Sequence, residues 1–462
     1  MDTNFCTLTD SYKLTHWPMY PPGTTRNHAY FAARAGAKYP ETVFVGLQPL
    51  LKEYMVGEVV TTSKIADAVL KSDAHFGMKL FNTTMYQHIV KAHGGRLPLR
   101  IKAVPEGMVV PVGDGNVLMT VDSTDPLCAP LTNVVETILT QVWSPSTVAT
   151  LSREVKKTFK RYLDYTSDNP DAINFMLHDF GFRGVSSVES AGSAGMGHLV
   201  NFLGTDTFRA LEYIMEYYGG PMPGYSVNAT EHSIMTAEGP EGEMNVVKRL
   251  LDAYPTGILA MVIDSYNYKE FISKVGALFG DQIKARDGKV VFRPDSGPPT
   301  ETAMDVMVRV GTEFGYSLNS KGFKTLNPKV GVLWGDGVGP TGIDGILGAM
   351  FRHGWDAQNI VFGMGGGLLQ KVNRDTQRFA FKSSYQERNG KGYDIFKDPL
   401  DGTKKSKAGR LMLIDTVHGI ETIRVDEKHK FPGCEDLLET VFENGELVRD
   451  MSFAEVRANA CI

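Results

Sequence analysis

Two stretches of the chain hold side chains able to move protons or bind anions. The first, Gly224-Tyr-Ser-Val-Asn-Ala-Thr-Glu-His-Ser233, opens on a Pro-Gly turn and carries mostly small or polar side chains up to Glu231 and His232. An imidazole beside a carboxylate, framed by Ser226, Thr230 and Ser233, can exchange a proton or accept a phosphoryl group near neutral pH. Asp264 closes the apolar run Leu259-Ala-Met-Val-Ile, where a carboxylate can orient that imidazole. The second, Arg293-Pro-Asp-Ser-Gly297, sets a cation and a carboxylate two residues apart. Arginine binds phosphate bidentately, and aspartate accepts from sugar hydroxyls.

Gly335-Asp336-Gly337 offers another exposed carboxylate. Gly363-Met-Gly-Gly-Gly-Leu368 follows the apolar run Ile360-Val-Phe and can bring backbone N–H groups to phosphate oxygens. Leu368 stands where a dinucleotide fingerprint needs its last glycine, and no Gly-Lys-Ser/Thr occurs, which excludes a Walker loop. Taken singly, each motif is equally a tight turn or a solvated charge. Together, the carboxylates, Arg183, Arg293 and the glycine cradle fit a phosphorylated ribose, and Arg374, Lys382 and Lys397 can add positive charge.

Such groups need strand ends to hold them. From about residue 172, short apolar runs end in Gly, Asp, Ser or Arg, and amphipathic stretches follow several of them. Phe271, Val275 and Leu278 share one helical face, and Ala303, Met307, Val310 and Phe314 another. Alternating strand and helix predicts a parallel α/β sheet, and seven polar strand ends suit a barrel with its site at the C-terminal face. An open doubly wound sheet competes with it. Residues 97–121 read as a meander of short strands, and Leu151, Val155, Phe159 and Leu163 mark a long helix after a break at Pro145. Beyond Lys382 come a basic cluster (Lys404, Lys405, Lys407, Arg410) and further short strands. The expected organisation is an α+β domain begun by residues 1–165, a barrel-like catalytic domain over 166–385, and a segment, 386–462, returning to the β-rich first domain.

The 462 residues are 42% apolar, enough for a sizeable core, and the net charge of -5 argues against nucleic-acid binding over the whole surface. Cys6, Cys128, Cys434 and Cys461 form no C-x-x-C pair and read as reduced thiols, without a disulfide framework or a zinc site. The N-terminus lacks the pattern of a secretory signal, and the apolar run near residues 258–263 is too short to span a bilayer, so a cytoplasmic protein is expected.

Eight blocks lie in the same order as in one family. They are Asp10–Lys13, Arg100–Gly107, His178–Ser187, Asn201–Thr207, Gly224–Ser233, Arg293–Gly297, Gly335–Gly337 and Gly365–Lys371. Through them the chain closely resembles the nicotinamide phosphoribosyltransferases, of the type II phosphoribosyltransferase family, nearly end to end. The resemblance implies phosphoribosyl transfer from 5-phosphoribosyl 1-pyrophosphate to nicotinamide, giving the mononucleotide and pyrophosphate in NAD salvage. It also implies magnesium, ATP hydrolysis through a phosphohistidine, and a homodimer with active sites at the interface.

By matching position, His232 would be the phosphorylated histidine, Asp264 its orienting partner and Arg293 a catalytic cation. Phe180 and, from the other subunit, Tyr12 would sandwich the pyridine ring, and Asp206 would accept from the carboxamide, with Ser226 also in the substrate-binding set. Arg183 and Arg293 would hold diphosphate, and Asp295, Gly335 and Asp336 the ribose. Gly366 and Arg374 would meet the 5'-phosphate, with Gly365 in the same turn and Lys382, Lys397 and Lys404 at basic positions nearby. Metal ligands are not implied. Nicotinate phosphoribosyltransferase is the alternative, disfavoured because Asp206 repels a substrate carboxylate; a non-catalytic nucleotide-binding or signalling protein on this scaffold is another. The chain departs from the family pattern at Asn228, Thr230 and Trp334, the last expected as a bulky neighbour of the base pocket.

Overall fold

The computed structural model describes residues 3–400 and 405–461, which form two compact units. The first takes in the chain up to Thr150, Glu216–Gly220 and Asn373–Cys461; the second takes in Leu151–Met215 and Pro221–Val372.

The first unit is built on a seven-stranded sheet whose strands pair antiparallel. Thr24–Ala32 lies inside it, between Ala380–Arg388 and Val117–Ser123, so N- and C-terminal segments share one sheet. Phe31 sits opposite both Phe381 and Met119 and stacks on Phe379 at 5.0 Å between ring centroids. The core continues through Ile101, Val121 and Phe442, each fully buried and contributing about 2 kcal/mol of transfer free energy. The predicted short strands are present as Leu99–Ala103, Val109–Pro111 and Val117–Ser123, but they form no meander: the first and third pair with each other, and the second pairs with Glu41–Val43 in a separate two-stranded sheet. Two helices, Thr62–Phe76 and Thr83–His93, begin at side-chain caps from Thr61 and Asn82 and end at left-handed Gly77 and Gly94.

The second unit holds the barrel strands β1 (Leu177–Asp179), β2 (Gly204–Thr205), β3 (Asn228–Ala229), β4 (Thr256–Val262), β5 (Asp287–Arg293), β6 (Val330–Trp334) and β7 (Ile360–Met364). Their order is β2-β1-β7-β6-β5-β4-β3, and every neighbouring pair is parallel. Tyr225, just before β3, bridges in parallel to Gly204 of β2, with Thr205 N donating to Tyr225 O at 3.0 Å. The two sheet edges therefore curl round to one another, and the architecture is barrel-like, not an open doubly wound sheet.

Helices between the strands cover the barrel with the apolar faces predicted for them, with one correction. Ala303, Met307, Val310 and Phe314 are all buried, but Leu278 is 63% exposed while Phe271, Ile272, Val275 and Ile283 are buried. At about 100° per residue, the buried stripe is centred between Phe271 and Ile283, and Leu278 falls outside it. The helix Trp143–Thr166 starts ahead of Pro145, which occupies its first turn, where a missing N–H costs nothing.

Candidate active site

A cavity of about 860 Å³ opens at the C-terminal ends of the barrel strands. Phe180 follows β1, Arg293 ends β5, Gly335 and Asp336 follow β6, and Gly365 and Gly366 follow β7; all six line the cavity. Arg183, Asp206 and Asp295 line it too. Strand ends far apart in the chain converge because parallel strands in one curled sheet all finish at the same rim.

Packing around Phe180 and Arg293 fixes the centre. Phe180 N donates to Met364 O at 3.0 Å, and its ring packs against Gly363, where a Cβ would fall 2.0 Å from Cε2. The Arg293 guanidinium carbon stands 5.2 Å from the Phe180 ring centroid, a cation–π contact. A Cβ at Gly335 would fall 3.0 Å from Arg293 Nε. Arg293 Nη2 donates to Asp295 Oδ1 at 3.0 Å, while the buried Nε has no hydrogen-bond partner. A guanidinium so immobilised, with a donor unsatisfied, is suited to an anionic ligand. Gly184 packs on the glycine turn, its ideal Cβ 3.2 Å from the Gly366 Cα, which brings Arg183 beside that turn.

Asp206 N donates to Asp179 O at 2.9 Å, and Ser226 Oγ donates to the Asp206 carboxylate. Asp179 itself is fully buried, accepts from Gly181 N at 2.7 Å, and is pushed up to about 6, chiefly by burial and further by the Asp206 charge. Burial lowers the pKa of the neighbouring His178, against the raising effect of the Asp206 charge.

His232 opens the short helix His232–Met235, and its Nε2 lies 3.2 Å from Asp264 Oδ1. The imidazole is half exposed, while the Asp264 side chain is buried. Asp264 Oδ2 accepts from Asp295 N at 3.0 Å and from Ser296 Oγ, so one carboxylate ties the histidine to the turn after β5. Thr230 donates its N–H to Ala260 O and accepts from Val262 N at Oγ1, both at 2.9 Å, fastening the loop to β4. His232, Asp264 and Ser226 do not line the cavity; Asp264 reaches it through Asp295, and Ser226 through Asp206.

Four expected residues belong to the first unit: Tyr12 is exposed on the turn Ser11–Thr15, Arg374 and Lys397 are exposed, and Lys382 lies on Ala380–Arg388 with burial lowering its pKa. Lys404 lies outside the described residues. Trp334 is a correction. It is fully buried and absent from the cavity wall, and its indole N–H donates to Asp336 O at 2.7 Å, pinning the turn that presents Asp336. Thr207, Val338 and Lys371 line the cavity without having been singled out from sequence, although Lys371 stands just after the glycine run.

Two arginines, carboxylates able to accept from hydroxyls and an aromatic ring share one barrel mouth, a set compatible with a pentosyltransferase. Residues 175–446 match the nicotinate phosphoribosyltransferase (NAPRTase) family, and residues 4–101 match the nicotinamide phosphoribosyltransferase N-terminal domain. The chain belongs to the nicotinate phosphoribosyltransferase family, and its reaction is the phosphoribosyl transfer of NAD salvage.

Over 99% of its length it is 43% identical to nicotinamide phosphoribosyltransferase of Xanthomonas campestris pv. campestris (strain 8004), 98% of which is covered. It is 32% identical to the enzyme of that name from Acinetobacter baylyi (strain ATCC 33305 / BD413 / ADP1), with 97% of this chain and 95% of the relative covered. In fold it resembles nicotinate-nucleotide pyrophosphorylase from Pyrococcus furiosus, with TM-score 0.62, 14% identity and coverage of 99% of this chain and 95% of that one. Human nicotinic acid phosphoribosyltransferase gives 0.58 and 15%, covering 98% and 92%. No helix among the described residues is long and apolar enough to cross a membrane.

Proposed function

We propose that the protein joins nicotinamide to 5-phosphoribosyl 1-pyrophosphate, giving nicotinamide mononucleotide and pyrophosphate. The observation that carries this reading is the single cavity shared by Asp206, Phe180 and the clamped Arg293. The pyridine ring lies on Phe180, and Asp206 accepts from the carboxamide NH2 while repelling the carboxylate of nicotinate. The two relatives named for nicotinamide support the same choice. The ring nitrogen attacks C1 of the ribose with its lone pair as the bond to pyrophosphate breaks, and the bonding electrons leave with pyrophosphate. No proton needs to be removed. Positive charge builds on the ribose and negative charge on the leaving group, which Arg183 and Arg293 stabilise. Asp295 and Asp336 hold ribose hydroxyls. Magnesium fits this wall, because both side chains offer the hard carboxylate oxygens it takes, and when bound it supplies positive charge against the departing diphosphate.

ATP coupling belongs to the same proposal. With its Nε2–H directed at Asp264, His232 keeps a lone pair on Nδ1, and the ring is open to solvent. Nδ1 attacks the γ-phosphorus of ATP, and ADP departs with the bond electrons. The working unit is a homodimer, in which Tyr12 of the partner subunit covers the second face of the base. The test is direct. The purified protein is incubated with phosphoribosyl pyrophosphate, magnesium and equimolar nicotinamide and nicotinate, with and without ATP. Nicotinamide mononucleotide should dominate, and ATP should raise its yield and leave an acid-labile phosphate that His232→Ala abolishes. A preference for nicotinate, or no mononucleotide at all, overturns the assignment.

A further inference from the structure

Among the described residues outside the barrel, one group of side chains has the composition of a metal site. His88 and His93 lie on the helix Thr83–His93, and Asp125 precedes the short turn Pro126–Cys128. A five-residue spacing puts two side chains about 140° apart on a regular helix, so sequence inspection passes over the pair. His93 is the last helical residue, just before left-handed Gly94, and the two rings close to 5.5 Å between centroids at 77° between planes. Asp125 Oδ1 is occupied by Leu127 N at 2.8 Å, which leaves Oδ2 free to face the histidines. That oxygen stands 2.9 Å from Nε2 of each ring, and all three atoms lie within 4.8 Å of one another.

We propose that His88, His93 and Asp125 bind one borderline divalent transition-metal ion, with zinc as the type case, at a structural site separate from the barrel. Two imidazole nitrogens and one carboxylate oxygen are the donors zinc takes, whereas magnesium and calcium select all-oxygen sets. In the ligating form each imidazole carries its hydrogen on Nδ1, so both Nε2 lone pairs face the ion. Bonds of about 2.0–2.2 Å require each Nε2 to part from Asp125 Oδ2 by a few tenths of an ångström. The side chains are 26%, 27% and 17% exposed, so water can complete the coordination from the open side. The backbone anchor on Oδ1 holds the carboxylate in a monodentate attitude, and the helix end holds His93.

The experiment uses the full chain, stripped with a chelator, dialysed and titrated with zinc chloride by calorimetry. One equivalent should bind, at least tenfold more tightly than in the double variant His88→Gln/His93→Gln, and zinc should raise the Tm of the wild type only. Cobalt(II) should give visible d–d absorption that Asp125→Asn removes. Nicotinamide mononucleotide formation with magnesium should be the same in wild type and double variant. Equal zinc affinity in wild type and double variant overturns the proposal and assigns the metal to other groups. A stripped wild-type chain that takes up no zinc overturns it whatever the variants do. In that case Asp125 is simply an acceptor for two imidazole N–H groups.

Discussion

Gly363 carries more of the site than a turn residue would. It lies within β7, and the Phe180 ring occupies the space a side chain would need. Gly363→Ala must therefore push the ring off its seat and disturb the Arg293 contact, while the strand pairing is unchanged. The expected outcome is a tenfold or larger rise in KM for the base, about 1.4 kcal/mol or more, with a Tm close to wild type. Steady-state kinetics beside a thermal melt reads both. Sequence reading treated this glycine as part of a phosphate cradle, because a missing side chain does not say which neighbour fills its place.

Asp179 gives a pH-dependent prediction. Its carboxyl ordinarily titrates at 3.8 and is raised to about 6 in the fold, so the folded state holds the proton more tightly than the unfolded chain. Stability contributed by this group is full below pH 4 and is lost as pH rises through 6, by at most about 3 kcal/mol. Asp179→Asn keeps an acceptor for Gly181 N and removes that loss. The difference in unfolding free energy, variant minus wild type, should increase between pH 4 and pH 7; a constant difference refutes the assignment.

At the level of elements, the barrel strands themselves were more legible than the contacts between them. Polar residues ending apolar runs located the barrel mouth, and the helix spacing found most of the covering faces. What periodicity lacked was the centre of each buried stripe, which Leu278 shows, and long-range pairing, which His28 shows. His28 accepts from Leu411 N at Nε2 over 3.3 Å, so its hydrogen sits on Nδ1 and is donated to Asp122 at 3.0 Å. One imidazole thus joins Thr24–Ala32, Val117–Ser123 and the strand Leu411–Thr416.

Burial pushes Asp122 up, but the His28 imidazole and Arg26 guanidinium outweigh it and hold the carboxyl down at about 2. A depressed carboxyl stabilises the fold above pH 4, and that contribution disappears as pH falls toward 2. His28→Ala leaves Asp122 buried, with Arg26 as its remaining hydrogen-bond partner and Arg410 acting only through its charge, and frees Leu411 N. It should cost about 3 kcal/mol in guanidinium unfolding and raise amide exchange across residues 411–424. Exchange unchanged in that segment would show that the imidazole does not anchor it.

At the scale of the whole molecule, the residues expected at the site fall into two sets. Phe180, Arg293, Asp295 and Asp336 meet in the barrel unit, whereas Tyr12, Arg374, Lys382 and Lys397 belong to the β-rich unit. The resemblance carries Phe180, Arg293, Asp295, Asp336 and Tyr12 within its blocks and Arg374 just after one, whereas Lys382 and Lys397 lie well beyond the last block and match it only loosely; which subunit supplies them to a given site is not a property of a single sequence. The proposed homodimer answers this with a quantitative expectation. If each site takes its barrel residues from one subunit and Tyr12 from the other, an Asp336→Ala chain and a Tyr12→Ala chain are each inactive as homodimers.

Mixed and allowed to exchange, half the dimers are heterodimers, and each of these has one site carrying both lesions and one carrying neither. About a quarter of all sites become intact, so activity should recover to about a quarter of wild type. Recovery should follow subunit exchange in time and be absent when the chains are cross-linked as homodimers before mixing. A mixture that stays inactive after exchange is demonstrated, by mass or by energy transfer between labelled chains, means that each site draws Asp336 and Tyr12 from the same chain. The shared-site reading then fails, while the phosphoribosyl transfer assigned to the barrel stands.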